Sequence, residues 1–206
     1  MADTKCKTCR RTGQKLFSKE EKCFGAKCPM IKKPYAPGKK TKRPKSLSEY
    51  GIQLREKQKL KFFYGLRERQ FANYVKEAIS RGGSGISDRL ASTLESRLDN
   101  VVFRAGFAKS RSIARQIVGH GHICVNGRKI TIPSFQIKKG DKISLRPQSA
   151  GKAIFKDLDV WLKKYNPPAW LKVDKDKKES EMAKPISGID AETGANMNSI
   201  IEFYSR

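Results

Sequence analysis

Apolar positions recur at helical spacing in the first half of the chain and alternate over short runs in the second. Phe62, Phe63 and Leu66, then Phe71, Tyr74, Val75 and Ile79, give two helical stripes. Ser48 stands as an N-cap before Glu49. Leu54, Gln58 and Lys61 mark the helix that follows, with a face of mixed charge. Gly65 marks a break, and the glycine-rich run 82–85 ends a helix and opens a link. Ser87 or Asp88 caps the next helix, which carries Leu90, Leu94 and Leu98. Leu98, Val101, Val102 and Ala105 then line a helix that Gly106 stops. Ser110 caps another, with Ile113, Ile117 and Val118 inward and Gly119 at its end.

From His122 onward the period shortens. Residues 122–125, 129–132, 135–137 and 142–145 read as short strands, and 138–141 as a turn. Asn126-Gly127 is a type I′ hairpin signal, because both central residues of that turn need positive φ. Trp161, Leu162, Tyr165, Trp170 and Leu171 flank Pro167-Pro168 as an aromatic patch packing a loop. Residues 172–181 read as a charged, solvated loop, and 199–204 as a terminal strand or helix. Residues 1–45 differ from all of this. Pro34, Pro37 and Pro44 sit among lysines and few large apolar residues, so this arm cannot offset its ordering entropy unaided.

Charge sharpens the division. The net charge is +25, more than solubility needs, and such a field attracts polyanions. Residues 1–45 hold 15 Lys/Arg against 3 acids, and residues 97–146 hold 11 against 2. No apolar run approaches the roughly 20 residues that span a bilayer, and the start lacks an apolar signal core. A soluble cytosolic or organellar protein without a membrane partner is expected.

Four cysteines lie in the arm. Cys6, Cys9, Cys23 and Cys28 have the spacing C-x2-C-x13-C-x4-C. Two close pairs a dozen residues apart suit a closed tetrahedral thiolate site. One structural zinc ion is the default occupant, and an iron–sulfur cluster is the chemical alternative. Metal binding would supply folding energy that the arm lacks. Cys124 reads as a small buried residue of the hairpin.

The block from Arg97 to Leu145 carries the candidate nucleic-acid surface. Lys109, Ser110 and Arg111 stand at a helix N-terminus, where backbone N–H groups and the dipole favour phosphate. Arg115 is one turn beyond Arg111. Arg97 and Arg104 project from the preceding helix, and Arg128 and Lys129 follow the hairpin turn. Such a concave basic surface suits structured RNA, which is read mainly through shape and backbone. Asp99 orients Arg97 or Arg104 or favours the helix start. His120 and His122 are phosphate contacts or hydrogen-bonding groups, with no cysteine at ligand spacing.

This block resembles a small RNA-binding module shared by one small-subunit ribosomal protein and several RNA-modifying enzymes. The matching residues are Arg97-Leu98-Asp99, Ser110-Arg111, Ala114-Arg115, Gly119 and Val125-Asn126-Gly127. The flanks, residues 50–59 (YGIQLREKQK), 64–71 (YGLRERQF), 167–171 (PPAWL) and 202–206 (EFYSR), resemble bacterial ribosomal protein number four of the small subunit, in its four-cysteine metal-binding branch. The resemblance implies an α+β fold. A mainly helical first domain with a metal-stapled N-terminal arm holds an inserted RNA-binding module of two helices and a small, mostly antiparallel sheet. The arm covers 1–45, the helical domain 46–96 completed by the tail 185–206, and the module with its extension 97–184.

The resemblance also implies a role: binding 16S-type rRNA early and nucleating assembly of the subunit body in the cytoplasm. Contacts with neighbouring ribosomal proteins numbered three and five, near the path by which mRNA enters, and support of translational accuracy go with it. Further candidate RNA contacts are Arg10, Arg11, Lys39, Lys40 and Arg43 in the arm, and Arg55, Lys57, Lys59, Arg67 and Arg69 in the helical segment. Asn126 joins them in the module. The chain departs from the family pattern at its first five residues, after Pro185, and over 189–197. An RNA-modifying enzyme is the competing reading. It fails on length, since about sixty residues after the module leave no room for a catalytic domain, and no nucleophile–base motif precedes it. A free zinc-dependent regulator of RNA or DNA is a third class.

Overall fold

A computed structural model describes residues 4–16, 23, 25–38, 46–83, 85–184, 186 and 193–205. The chain divides into two compact units, Met1–Ser87 with Asp190–Arg206, and Asp88–Ile189.

In the first unit a helix α1 (Thr4–Thr12) packs against a one-turn helix α2 (Pro29–Lys32). The Arg10 guanidinium ties the two by donating to the Lys33 and Tyr35 carbonyls. Helix α3 (Glu49–Phe63) starts where Ser48 Oγ accepts from the Gly51 amide at 3.2 Å. It ends at Gly65, whose φ of +64° lets the chain turn. Helix α4 (Glu68–Ser80) buries Phe71, Val75 and Ala78. The last helix, α9 (Met197–Ser205), packs on both α3 and α4. The tail segment read as strand or helix is thus helical. Its Phe203 and Tyr204 rings meet Tyr50 and Phe71, and Ile200 is fully buried.

In the second unit, α5 (Ile86–Glu95), α6 (Leu98–Arg104) and α7 (Arg111–Gly119) precede a five-stranded antiparallel sheet. Its strands are β1 (Ile123–Val125), β2 (Arg128–Ile130), β3 (Lys142–Leu145), β4 (Leu171–Asp174) and β5 (Glu179–Met182), ordered β2-β1-β3-β5-β4. The β1–β2 turn has Asn126 at φ +50° and Gly127 at φ +78°, as a type I′ turn requires. Ile123 pairs with Ile130 on one side and Leu145 on the other. A helix α8 (Leu158–Lys164) adds Leu158 and Leu162 to one core with Val101, Val102, Ile117, Val118, Ile143 and Phe155. Gly106, at φ +82°, stops α6 where Tyr165 lies so close that a Cβ would sit 2.7 Å from its ring.

Three expectations are corrected here. Leu98 opens α6 and does not continue α5, because Arg97 is extended and bridges Gln136. Residues 135–137 form no strand; they make that single bridge, and their carbonyls and amides serve the start of α6, with Leu98 N donating to Phe135 O and Ile137 N to Ser96 O. Residues 172–181 are no solvated loop. They build most of the β4–β5 hairpin, whose Leu171, Ser180 and Met182 are buried while Lys172 and Asp174 face out.

Candidate RNA-binding surface

The arginines of the second unit fall into two groups. Arg97 and Arg104 are 2 % and 4 % exposed. Arg97 donates through Nε and Nη2 to the two oxygens of Asp99, at 3.0 and 2.8 Å. Arg104 grips Glu95 in the same two-pronged way, at 3.1 Å for each contact. Buried guanidinium groups need such paired acceptors, since an uncompensated buried charge is expensive. Both side chains are turned into the interior. That corrects the expectation that they project from their helix. They hold α5, α6 and the loop at Gln136 together.

Asp99 does more than orient Arg97. Its Oδ2 also accepts from Arg115 Nε at 2.9 Å and Nη2 at 2.6 Å. It does not touch Arg104, which was the alternative expectation. Asn100 links the two clusters: its Nδ2 donates to Glu95 at 2.7 Å, and its Oδ1 accepts from Arg111 Nε at 2.9 Å. The Arg111 guanidinium also lies 4.4 Å from the Phe103 ring centroid. Arg111 and Arg115 are thus fixed from beneath yet half-buried, with 37 % of the Arg115 side chain exposed. Glu95 had no local signal in the sequence, because its partners lie five and nine residues away across a helix break.

Around these two, Lys109 is exposed and Ser110 caps α7, its Oγ accepting from the Ile113 amide at 3.3 Å. His120, Asn126, Arg128 and Lys129 are exposed as well. Asn126 is engaged in the turn: its Nδ2 donates to Asp141 and its Oδ1 accepts from the Lys142 amide. It shapes the hairpin beside the cations. Gly121 is favoured here by its φ of +71°, which strains any other residue, and a Cβ would also displace the end of the Lys129 side chain. His122, expected with His120 as a hydrogen-bonding or phosphate-contacting group, makes a hydrogen bond inside the fold. It is buried, 3.0 Å from Ser149 Oγ through Nδ1. Burial, then the charges of Lys152, His120, Arg146 and Lys129, push its pKa below the usual 6.5.

In the first unit, Arg11, Arg55, Arg67 and Arg69 are exposed and Arg10 is half-buried in its carbonyl contacts. Lys57 and Lys59 are buried, which corrects their assignment to the surface. Lys57 Nζ pairs with Glu68 at 2.6 Å and lies over the Phe203 ring. Lys59 Nζ pairs with Glu56 and donates to the Gly194 carbonyl. Partial burial raises the Glu68 pKa, but hydrogen bonds from Lys57, Lys61 and Tyr204 outweigh it and bring it down to about 2. Burial, then the hydrogen bond to Glu68, push the Tyr204 phenol above its usual range. Lys39, Lys40 and Arg43 lie outside the described residues.

The arm cysteines are thiols, with Cys9 and Cys28 buried and Cys6 and Cys23 half-buried. The Leu16 amide donates to Cys9 Sγ at 3.4 Å, and Lys15 Nζ donates to the Cys23 carbonyl at 2.9 Å. A thiol-rich set with an amide donor suits a zinc site chemically. Among the described residues, however, no group of three or more His, Cys, Asp or Glu is arranged to hold a metal. No described helix is long and apolar enough to cross a membrane.

Residues 1–96 match the family described as Ribosomal protein S4/S9 N-terminal domain, and residues 96–143 match the S4 domain. The chain is 46% identical over 202 residues to small ribosomal subunit protein uS4 of Thermoanaerobacter sp. (strain X514), covering 98% of this chain and 96% of that protein. The chain belongs to the uS4 family. Similar relatives include uS4 of Heliobacterium modesticaldum, at 43% identity over 201 residues with 98% and 96% coverage. Protein uS4A of Alkaliphilus metalliredigens is 44% identical over 204 residues, with 99% and 98% coverage. The uS4 family is structural and not enzymatic, which removes the RNA-modifying alternative. The S4-domain match spans α6, α7 and the β1–β2 hairpin, the elements that carry the exposed cations.

Proposed function

We infer that this chain is a structural constituent of the small ribosomal subunit and binds its rRNA, acting on the ribosome in the cytoplasm. Beyond family membership, one observation carries the reading. Lys109, Arg111, Arg115, Arg128 and Lys129 are exposed or half-buried on a module where Glu95 and Asp99 are turned inward and the half-exposed Asp141 is engaged by Asn126 and the Lys138 amide. Contacts of this kind fix position and register through phosphates, and their affinity falls steeply as salt rises. The test is co-sedimentation of the purified chain with small ribosomal subunits at moderate salt. Protein that stays in the supernatant refutes the inference.

Early rRNA binding that nucleates the subunit body, contact with the ribosomal proteins numbered three and five, and support of accuracy where mRNA enters are part of the same proposal. Two units joined within one chain, each with its own cations, suit a clamp on an RNA junction. Exposed Arg55, Arg67 and Arg69 would serve the first unit and Lys109, Arg111, Arg115, His120, Arg128 and Lys129 the second. Omitting the chain from a reconstitution of subunits from rRNA and purified proteins should then stall assembly at an early intermediate.

We further propose that Cys6, Cys9, Cys23 and Cys28 hold one structural zinc ion, as in the four-cysteine branch of the family. Support comes from the spacing, the burial of Cys9 and Cys28, and the amide at Cys9 Sγ. Zinc would fix the arm and do no chemistry, because four thiolates close the coordination sphere. Elemental analysis should give about one zinc per chain. Stoichiometric iron with visible absorbance would replace zinc by a cluster, and neither metal would refute the site.

A further inference from the structure

We propose that the second unit carries another phosphate-binding patch at the C-terminal end of α7. It is built by His120, Lys129, Arg146 and Lys152 around the buried His122, and its ligand is the backbone of the same rRNA. The proposal rests on the rRNA-binding reading and extends it to the end of α7 opposite Ser110.

The patch is constructed by backbone geometry. Arg146 N donates to the His122 carbonyl at 2.9 Å, which fixes Arg146 beside the end of α7. Two short 3-10 turns follow. Ser149 N donates to Arg146 O at 2.8 Å, and Lys152 N donates to Ser149 O at 3.1 Å. Ser149 Oγ then meets His122 Nδ1, so the turn and the imidazole lock each other. Lys129 reaches the same place from β2, its side chain lying over Gly121. The charged groups that bear on His122 are Lys152, His120, Arg146 and Lys129, and none is acidic.

Elsewhere in this unit the buried arginines are matched by carboxylates. Among the described residues, Lys129, Arg146 and Lys152 have no ion-pair partner. The C-terminal dipole of α7 attracts cations, but it amounts to roughly half an elementary charge against three permanent positive charges. A polyanion supplies the remaining counter-charge. A nine-residue helix is about 13 Å long, so one phosphate cannot serve both ends. The module then grips RNA at two separated phosphates, one at each end of α7.

The test uses the full chain and transcribed small-subunit rRNA, with affinity measured across a potassium chloride series. Arg146→Gln/Lys152→Gln should lower the slope of log affinity against log salt by about two, roughly one per contact, with an unchanged Tm. Arg146→Lys/Lys152→Arg should restore the slope. An unchanged slope in the neutral pair overturns the patch and leaves the rRNA reading standing. A slope lowered equally in the charge-preserving pair, together with a lower Tm, assigns these residues a structural role and also overturns it. A wild-type chain that does not bind the rRNA overturns both readings.

Discussion

The interior of α5–α7 and the far end of α7 hold cations in opposite ways. In the interior, Arg97 and Arg104 are buried and each meets a carboxylate through two hydrogen bonds. At the far end, Lys129, Arg146 and Lys152 surround a buried, uncharged-leaning His122 with no carboxylate in the group. The same residue types therefore do different work within one short stretch. Interior cations consume acids to build a frame. Lys129, Arg146 and Lys152 at the far end have no ion-pair partner among the described residues and add to the positive potential of the module. A net charge counted along the chain mixes the two, so it misjudges which arginines face a ligand.

The comparison breaks most sharply at Asp99. Asp99→Ala takes from buried Arg97 the carboxylate it grips through two hydrogen bonds, and loss of one partner of a buried pair costs about 3–5 kcal/mol. A Tm decrease on the order of 10 °C is expected, measured by differential scanning calorimetry. A change under 2 °C would remove the distinction between frame and surface. Gly121→Ala tests the link between frame and surface. It places a Cβ against Lys129 at a positive φ and should cost about 1–3 kcal/mol, read as a shift of the denaturation midpoint.

Acid titration probes the next difference in size. His122 has a folded pKa below 6.5, so the unfolded chain takes up the proton first and stability falls as pH drops below 6.5. Its contribution is complete above that value. Tm should be flat from pH 7 to 8 and decline below about 6.5, and His122→Asn should flatten that part of the curve. Glu68 acts lower. Its pKa falls from 4.5 unfolded to about 2 folded, so its contribution is full above 4.5 and is lost as pH falls through about 2. The smallest stability effect belongs to the surface. Arg128→Gln should change stability by under about 0.5 kcal/mol yet lower the salt slope of rRNA binding by about one, measured by filter binding.

Local signals were legible in the sequence wherever one short segment carries its own reason. The Ser48 and Ser110 caps, the Gly106 stop and the Asn126-Gly127 turn all depend on residues within four positions. The exposed candidates Lys109, Arg128 and Lys129 followed from those elements. Features made by distant partners were not legible. Helix α3 buries Gln53, Glu56, Lys57 and Lys59 beside Leu60, so its inward face is mostly polar and its lysines read as surface groups. Lys57 finds its acceptor in Glu68 of α4, and Lys59 in Glu56 and the Gly194 carbonyl of the tail, while the Asn196 amide donates to the same Glu56. The β4–β5 hairpin was hidden because its tip and outward positions are almost all charged, while Leu171, Ser180 and Met182 supply the inward side. Arg146 and Lys152 gained a candidate role only once His122 and Ser149 were seen to hold their turns in place.

Helix α9 gives the molecule a timetable. It completes the first unit, clasping α3 and α4 through Phe203, Tyr204 and Ile200, yet it follows the whole second unit in the chain. During synthesis the second unit has all its strands and helices before the first has its closing helix. Domains fold as units while the chain emerges. The first part made is thus the last part finished, and α3 and α4 wait with an uncovered face until residues 197–205 leave the ribosome that is making them.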